Sequence, residues 1–229
     1  MRLHRFYIEE KIEGKKEIEI FDEAILHQMK NVFRLEKGDR VIFFDGEGRD
    51  YECITELISK KEGKFIVEKI VDVFIPDKKV TLFISLIKKE NFELAIEKAT
   101  ELGVSKIVPI ISERVQKKNI DLSRCRRIIK EASEQCGRGD LPEISEPIEL
   151  ENIFNDDIEN FIAFDMSGKK MSESNFSVLS PKLLIGPEGG WSDSELNFFQ
   201  EKNISLYSLG QTVLRAETAA IVATAFILN

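Results

Sequence analysis

Leu183-Leu184-Ile185-Gly186-Pro187-Glu188-Gly189-Gly190 runs from an apolar strand pattern into a glycine-bearing loop, and Ser192-Asp193-Ser194-Glu195 then opens a helix. Ser192 can cap the first-turn amides while Glu195 reaches back to the Ser192 amide, the two halves of a capping box. The loop is therefore pinned at both ends. Glycines at a strand-to-helix turn let a ligand approach the main chain without a Cβ in the way, and the free amides of a helix start offer hydrogen bonds. Ser208-Leu209-Gly210-Gln211-Thr212-Val213-Leu214-Arg215-Ala216-Glu217-Thr218 repeats the arrangement, a strand end, a glycine and a helix start. One such loop reads equally well as a tight turn; two in one domain point to a ligand site.

Charge narrows the ligand. A phosphate cradle uses Lys and hydroxyls and ends in Gly-Lys-Ser/Thr, whereas the first loop carries a carboxylate, Glu188. The Gly-x-Gly-x-x-Gly fingerprint of dinucleotide sites is also absent. A small ligand bearing positive charge fits better.

Outward from these loops, from Val80 onward, strands alternate with helices, the pattern of a mainly parallel sheet covered on both faces. The strands are expected at Val80–Ile87, Lys106–Ile111, Phe161–Phe164, Lys182–Ile185 and Ile204–Tyr207. The helices are expected from an Asn91 cap to a Gly103 stop, from Leu122 to Cys136, from Ser192 to about Lys202, and from Ala216 to Leu228. The last is apolar nearly all round and should be buried or pack against a partner chain. Up to Asp72 the runs are short and β-rich (Arg40–Phe44, Tyr51–Ile54, Lys64–Val67), interrupted by one helix around Glu23–Phe33; they read as a small β-barrel. Two domains follow, 1–72 and 73–229, with a linker around Pro76.

The 229 residues are 42% hydrophobic and 32% charged, as expected of a soluble chain. Cys53, Cys125 and Cys136 are odd in number and unpaired by motif, with only His4 and His27 to assist, so the expectation is no disulfide framework, no metal site and a reducing cytoplasm. No export signal is expected at the N-terminus, and the apolar run Ala219–Leu228 is too short to span a bilayer. The net charge of −8 argues against indiscriminate nucleic-acid binding, but the basic residues are unevenly placed. Arg114, Lys117, Lys118, Arg124, Arg126, Arg127, Lys130 and Arg138 face only Asp121, Glu131 and Glu134 in their stretch, and Arg2, His4, Arg5, Lys30 and Arg34 form a second group. The plainer reading of both groups is solvated helix faces.

Taken in order, several segments resemble one family. They are His4-Arg5-Phe6; His27 to Leu35 with Gly38-Asp39 and Asp45-Gly46-Glu47-Gly48; Lys98 to Val104; Ser112-Glu113-Arg114; Glu131 to Arg138; and both C-terminal loops. The chain resembles the RsmE family of the knotted SPOUT superfamily, the bacterial 16S ribosomal RNA uridine-N3 methyltransferases. The resemblance implies an N-terminal PUA-like RNA-binding barrel and a C-terminal α/β domain threaded through a trefoil knot, a homodimer, and S-adenosylmethionine as cofactor. It places the cofactor on Ile185, Gly186, Glu188, Gly189, Gly190, Leu209, Gly210 and Leu214, and Glu188 suits a ligand with a sulfonium and an ammonium. Arg215 is the candidate for stabilising a uracil anion and Glu217 for accepting the N3 proton; the alternative for Glu217 is a first-turn acid favoured by the helix dipole and paired to Arg215. RNA contacts fall to Arg2, His4, Arg5, Lys30, Arg34, Arg114 and Arg138, with 16S RNA or the assembled small subunit as partner. Family members commonly carry His at the position of Gln28 and Arg at that of Thr212, so no role rests on either. A related knotted methyltransferase acting on another RNA, and a non-catalytic RNA-binding dimer, stand as alternatives.

Overall fold

A computed structural model describes residues 3–116, 119–154, 159–171 and 180–228. It divides into two compact units, one of residues 1–75 with 133–141, the other of residues 76–132 with 142–229. The inclusion of 133–141 does not follow from local sequence: the Ser133 and Arg138 carbonyls accept from the buried Arg5 guanidinium, 128 or more residues away in the chain.

The first unit is a five-stranded mixed sheet in the order β1 (Arg5–Tyr7), β3 (Arg40–Phe44), β4 (Arg49–Ile58), β5 (Gly63–Asp72), β2 (Glu17–Ile20). β1 runs parallel to β3 and the remaining pairs are antiparallel, a half-barrel. Alternation drives it: Val41 and Phe43 of β3, Tyr51 and Cys53 of β4 and Phe65 of β5 point into one core with Phe6, Ile18, Leu26 and Met29. Burial pushes the Cys53 thiol up to about 12, so it behaves as a small apolar side chain. The expected helix around Glu23–Phe33 is split. α1 (Glu23–His27), capped by Asp22, passes into a π-helical turn, Gln28–Val32, after which Arg34 takes a left-handed φ of 55°.

The second unit is a wholly parallel seven-stranded sheet. β6 (Thr81–Ser85) lies between β7 (Lys106–Ile111) and β11 (Lys182–Ile185); beyond β11 come β10 (Phe161–Lys170) and β12 (Ser205–Ser208), and beyond β7 the short β8 (Glu143–Ile144) and β9 (Ile148–Glu149). The helices are α2 (Lys89–Leu102), α3 (Leu122–Cys136), α4 (Asp193–Glu201) and α5 (Ala216–Leu228). α4 begins with the capping box read from the sequence. α2 begins earlier than expected, with Lys88 rather than Asn91 as N-cap: the Lys88 carbonyl already accepts from Phe92, which leaves Asn91 inside the first turn. β10 is longer than its apolar run, because its register on β12 shifts after Phe164 and pairing resumes at Lys169 with Tyr207. Gly168 permits this, since a Cβ there would meet the Tyr207 main chain at 2.6 Å.

Candidate active site

In a parallel sheet all strands end on the same edge, and ligands bind beyond those carboxyl ends where the chain order switches direction. Here β11 lies between β10, the strand before it in the chain, and β6, far earlier in sequence, with Phe164 beside Ile185 and Ile185 beside Ile84. Beyond that row opens a cavity of about 510 Å³, within the range of small-molecule sites. Its wall comes from the residues following four strands: Lys88 and Asn91 after β6, Phe164, Asp165 and Met166 on β10, Ile185 to Glu188 with Gly190 and Trp191 after β11, and Leu209 with Thr212 to Glu217 after β12.

The loop after β11 is held from several sides. Glu188 accepts from the Lys88 amide at 2.9 Å, the Gly190 amide donates to the Pro187 carbonyl at 2.9 Å, and the Trp191 indole N–H donates to the Phe164 carbonyl at 3.0 Å. Glu195 accepts from the Ser192 amide with one oxygen and from the Glu113 amide with the other. The Glu113 carboxylate accepts from the Ser192 and Ser194 hydroxyls, which together hold it below the usual carboxylate range. Gly190 has φ +69°, and nothing lies within 4 Å of where its Cβ would point. The second loop is turned by Ser208, whose hydroxyl donates to the Gly210 carbonyl at 2.8 Å.

Arg215 and Glu217 both line the cavity and do not pair with each other. Arg215 is exposed and has no carboxylate within 4 Å among the described residues. Glu217 is only 6% exposed, and its Oε2 is buried with no hydrogen-bond partner. An orphaned buried carboxylate oxygen costs free energy that a ligand donor would recover. The expected cofactor residues Ile185, Gly186, Glu188, Gly190, Leu209 and Leu214 line the cavity; Gly189 and Gly210 lie in the same loops but outside the lining.

The RNA candidates divide. His4, Lys30 and Arg34 are exposed on the first unit, the His4 ring stacked on Phe33 with centroids 3.9 Å apart. Arg114, in the second unit, is exposed and donates to the Gly189 carbonyl. Arg2 lies outside the described residues. Arg5 and Arg138 must be withdrawn as phosphate contacts: their side chains are 5% and 4% exposed and are committed to Asp50 and Asp140. A guanidinium holding a buried carboxylate cannot leave it for solvent without stranding that charge.

Lys88, Asn91, Phe164, Asp165 and Met166 are cavity residues that the sequence reading did not name. The carboxyl-end rule for parallel strands was the available signal for all five, since each follows or ends a strand expected from the apolar runs.

A cavity beyond the strand ends, walled by two glycine loops, is the place of a small-molecule site in a parallel α/β sheet, and the comparisons give its class. The model of the RNA methyltransferase domain family matches residues 75–228, and that of the RNA methyltransferase PUA domain matches residues 21–68. The ribosomal RNA small subunit methyltransferase E of Aquifex aeolicus is 30% identical, over 99% of this chain and 100% of its own, and that of Synechocystis is 32% identical over 88% and 70%. The structure of a proposed methyltransferase from Legionella pneumophila in complex with the bound cofactor SAM aligns over 99% of this chain and 97% of its own, with 29% identity and a TM-score of 0.90. The chain belongs to the RNA methyltransferase family, within the group of small-subunit ribosomal RNA methyltransferase E proteins.

Proposed function

We propose that this chain transfers a methyl group from S-adenosylmethionine to N3 of one uridine in 16S ribosomal RNA. The observation that carries the reading is that the unpaired Arg215 and the orphaned, buried Glu217 carboxylate both line one cavity. The cavity fits the cofactor by volume, by the open main chain at Gly190, and by Asp165 and Glu188, carboxylates suited to a ligand with two cationic centres. Ile185, Gly186, Glu188, Gly189, Gly190, Leu209, Gly210 and Leu214 would hold it, and when bound it supplies an electrophilic methyl group on a sulfonium. Arg215 stabilises the negative charge that develops on the uracil carbonyls as N3 loses its proton. Glu217 has a free oxygen to accept that proton, and its burial keeps bulk water from competing for it.

His4, Lys30 and Arg34 grip the RNA from the half-barrel. A π-turn and a left-handed non-glycine residue are structures that proteins maintain chiefly at functional positions, and both sit among these cations. Arg114 adds a cation beside the cofactor loop. The threading of the last segment as a trefoil knot and the pairing of two copies belong to the same reading. Phe226 of α5 and Leu94 of α2 are exposed on helices that pack together, and a second copy would cover them. No helix of the described residues is long and apolar enough to cross a membrane, in keeping with action on ribosomal RNA in the cytoplasm.

Equilibrium binding of labelled S-adenosylmethionine to the purified chain, followed by transfer to 16S RNA transcribed in vitro, tests the proposal. Binding with transfer to a uracil base supports it. RNA binding without cofactor binding would reduce the chain to a non-catalytic RNA-binding protein.

A further inference from the structure

The Arg114–Arg138 stretch contains cations that the site described above leaves unused. α3 sorts them by helical period. Cys125, Ile128, Ile129 and Ala132 are buried on one face, while Ser123, Arg126, Arg127 and Glu131 are exposed on the other. Arg124 is used internally, 3.2 Å from Glu93 of α2. Arg126 and Arg127 have no carboxylate within 4 Å among the described residues. Glu131 follows Arg127 by one turn without pairing; a cation placed N-terminal to its acid is the weaker order for such a pair.

Several other cations of the molecule are paired. In a chain of 41 acidic and 33 basic residues, Lys98, Lys106, Arg40, Arg49 and Lys64 all find a carboxylate within 4 Å. Two adjacent exposed guanidinium groups left without one make a local positive spot in a chain of net charge −8. The helix that carries the spot is tied to an element of the site. The Arg124–Glu93 pair ties α3 to the first turns of α2, where Lys88 and Asn91 line the cavity. Arg126 and Arg127 lie only about 3 to 4.5 Å further along the helix axis than Arg124.

We propose that the exposed face of α3, through Arg126 and Arg127, is a docking surface for the RNA phosphate backbone flanking the nucleotide in the cavity. The inference rests on RNA being the substrate. Phosphate suits the two groups because guanidinium forks bind its oxygens in pairs. In a chain of net charge −8 such a local cationic spot favours one orientation of the RNA over others.

The test is the salt dependence of binding to 16S RNA transcribed in vitro, for the intact chain and for the double variants Arg126→Gln/Arg127→Gln and Arg126→Lys/Arg127→Lys. Losing two phosphate contacts lowers the slope of log affinity against log salt by about 1.5 to 2. The glutamine pair should show that drop with unchanged affinity for S-adenosylmethionine, and the lysine pair should keep most of the slope. An unchanged slope in the glutamine pair, while the parent chain binds RNA with its normal salt dependence, overturns the proposal and leaves a solvated helix face. Loss of cofactor affinity together with the slope would also overturn it, because the effect would then run through the fold. Failure of the parent chain to bind RNA at all would overturn the substrate reading, and this surface with it.

Discussion

The Arg114 guanidinium donates through Nη1 to the carbonyl oxygen of Gly189 at 2.8 Å, so a residue read from the sequence as an RNA contact holds the loop that follows β11. Its neighbour Glu113 holds the same loop further on, through Ser192 and Ser194. Together they brace the loop from the end of β7. Arg114→Ala should therefore raise the dissociation constant for S-adenosylmethionine about fivefold, the worth of about 1 kcal/mol for one exposed hydrogen bond. Calorimetry on the variant measures it; unchanged cofactor affinity would leave Arg114 to RNA alone.

Glu113 gives the brace a pH dependence. The Ser192 and Ser194 hydroxyls stabilise the ionised carboxylate, so its folded pKa lies below the ordinary value of 4.5. A lowered carboxylate pKa contributes stability that is present above the unfolded value and is lost as pH falls through the folded one. Hydrogen exchange of residues 186–195 should therefore speed up as pH falls below the ordinary carboxylate value of 4.5, beyond the intrinsic pH effect, and Glu113→Gln should remove that extra acceleration. Parallel behaviour of the two proteins would exclude Glu113 as the titrating group.

Gly190 is set by its main chain rather than by crowding. At φ +69° a Cβ has open space but an unfavourable backbone conformation, costing about 1 to 2 kcal/mol and more for a β-branched residue. Gly190→Val should weaken S-adenosylmethionine binding by tenfold or more, because the loop would leave its ligand-ready shape, while circular dichroism stays that of the parent. A valine variant with normal affinity would show that the loop is only a turn.

Arg5 belongs to the interior of the first unit. It makes a two-point contact to Asp50 at 2.9 and 2.6 Å, donates to the Ser133 and Arg138 carbonyls, and lies 4.1 Å over the Phe44 ring. Arg5→Ala should destabilise the chain by about 3 to 5 kcal/mol in urea unfolding, since it strands a buried carboxylate. Lys30→Ala and Arg34→Ala should change stability by no more than about 0.5 kcal/mol. An Arg5→Ala protein of normal stability that failed to bind RNA would return Arg5 to the RNA surface.

What the sequence made legible was whatever local pattern controls. The capping box at Ser192 and Glu195 and the buried strand Leu183–Ile185 lie where the pattern put them. Arg5 and Arg138 were misread because net charge and clustering say nothing about a partner far along the chain; Asp50 lies 45 residues beyond Arg5. Asp165 and Met166 were within reach, since they follow the expected strand Phe161–Phe164 at its carboxyl end; what no periodicity records is the register shift that carries β10 on to Lys170. The split of the helix around Glu23–Phe33 into α1 and a π-turn was likewise invisible, because both forms keep Ile25, Leu26 and Met29 facing one core.

The central claim is that Arg215 and Glu217 serve methylation of a uridine base, and nucleoside mass spectrometry of 16S RNA tests it most directly. RNA from cells lacking this protein should have lost one 3-methyluridine, restored by the parent gene. Arg215→Ala and Glu217→Gln should restore it poorly, with purified variants about a hundredfold slower in single turnover yet unimpaired in binding RNA and S-adenosylmethionine. An unchanged 3-methyluridine content in the deleted strain, or a lost methyl group that proves to be on a ribose oxygen, would contradict the account.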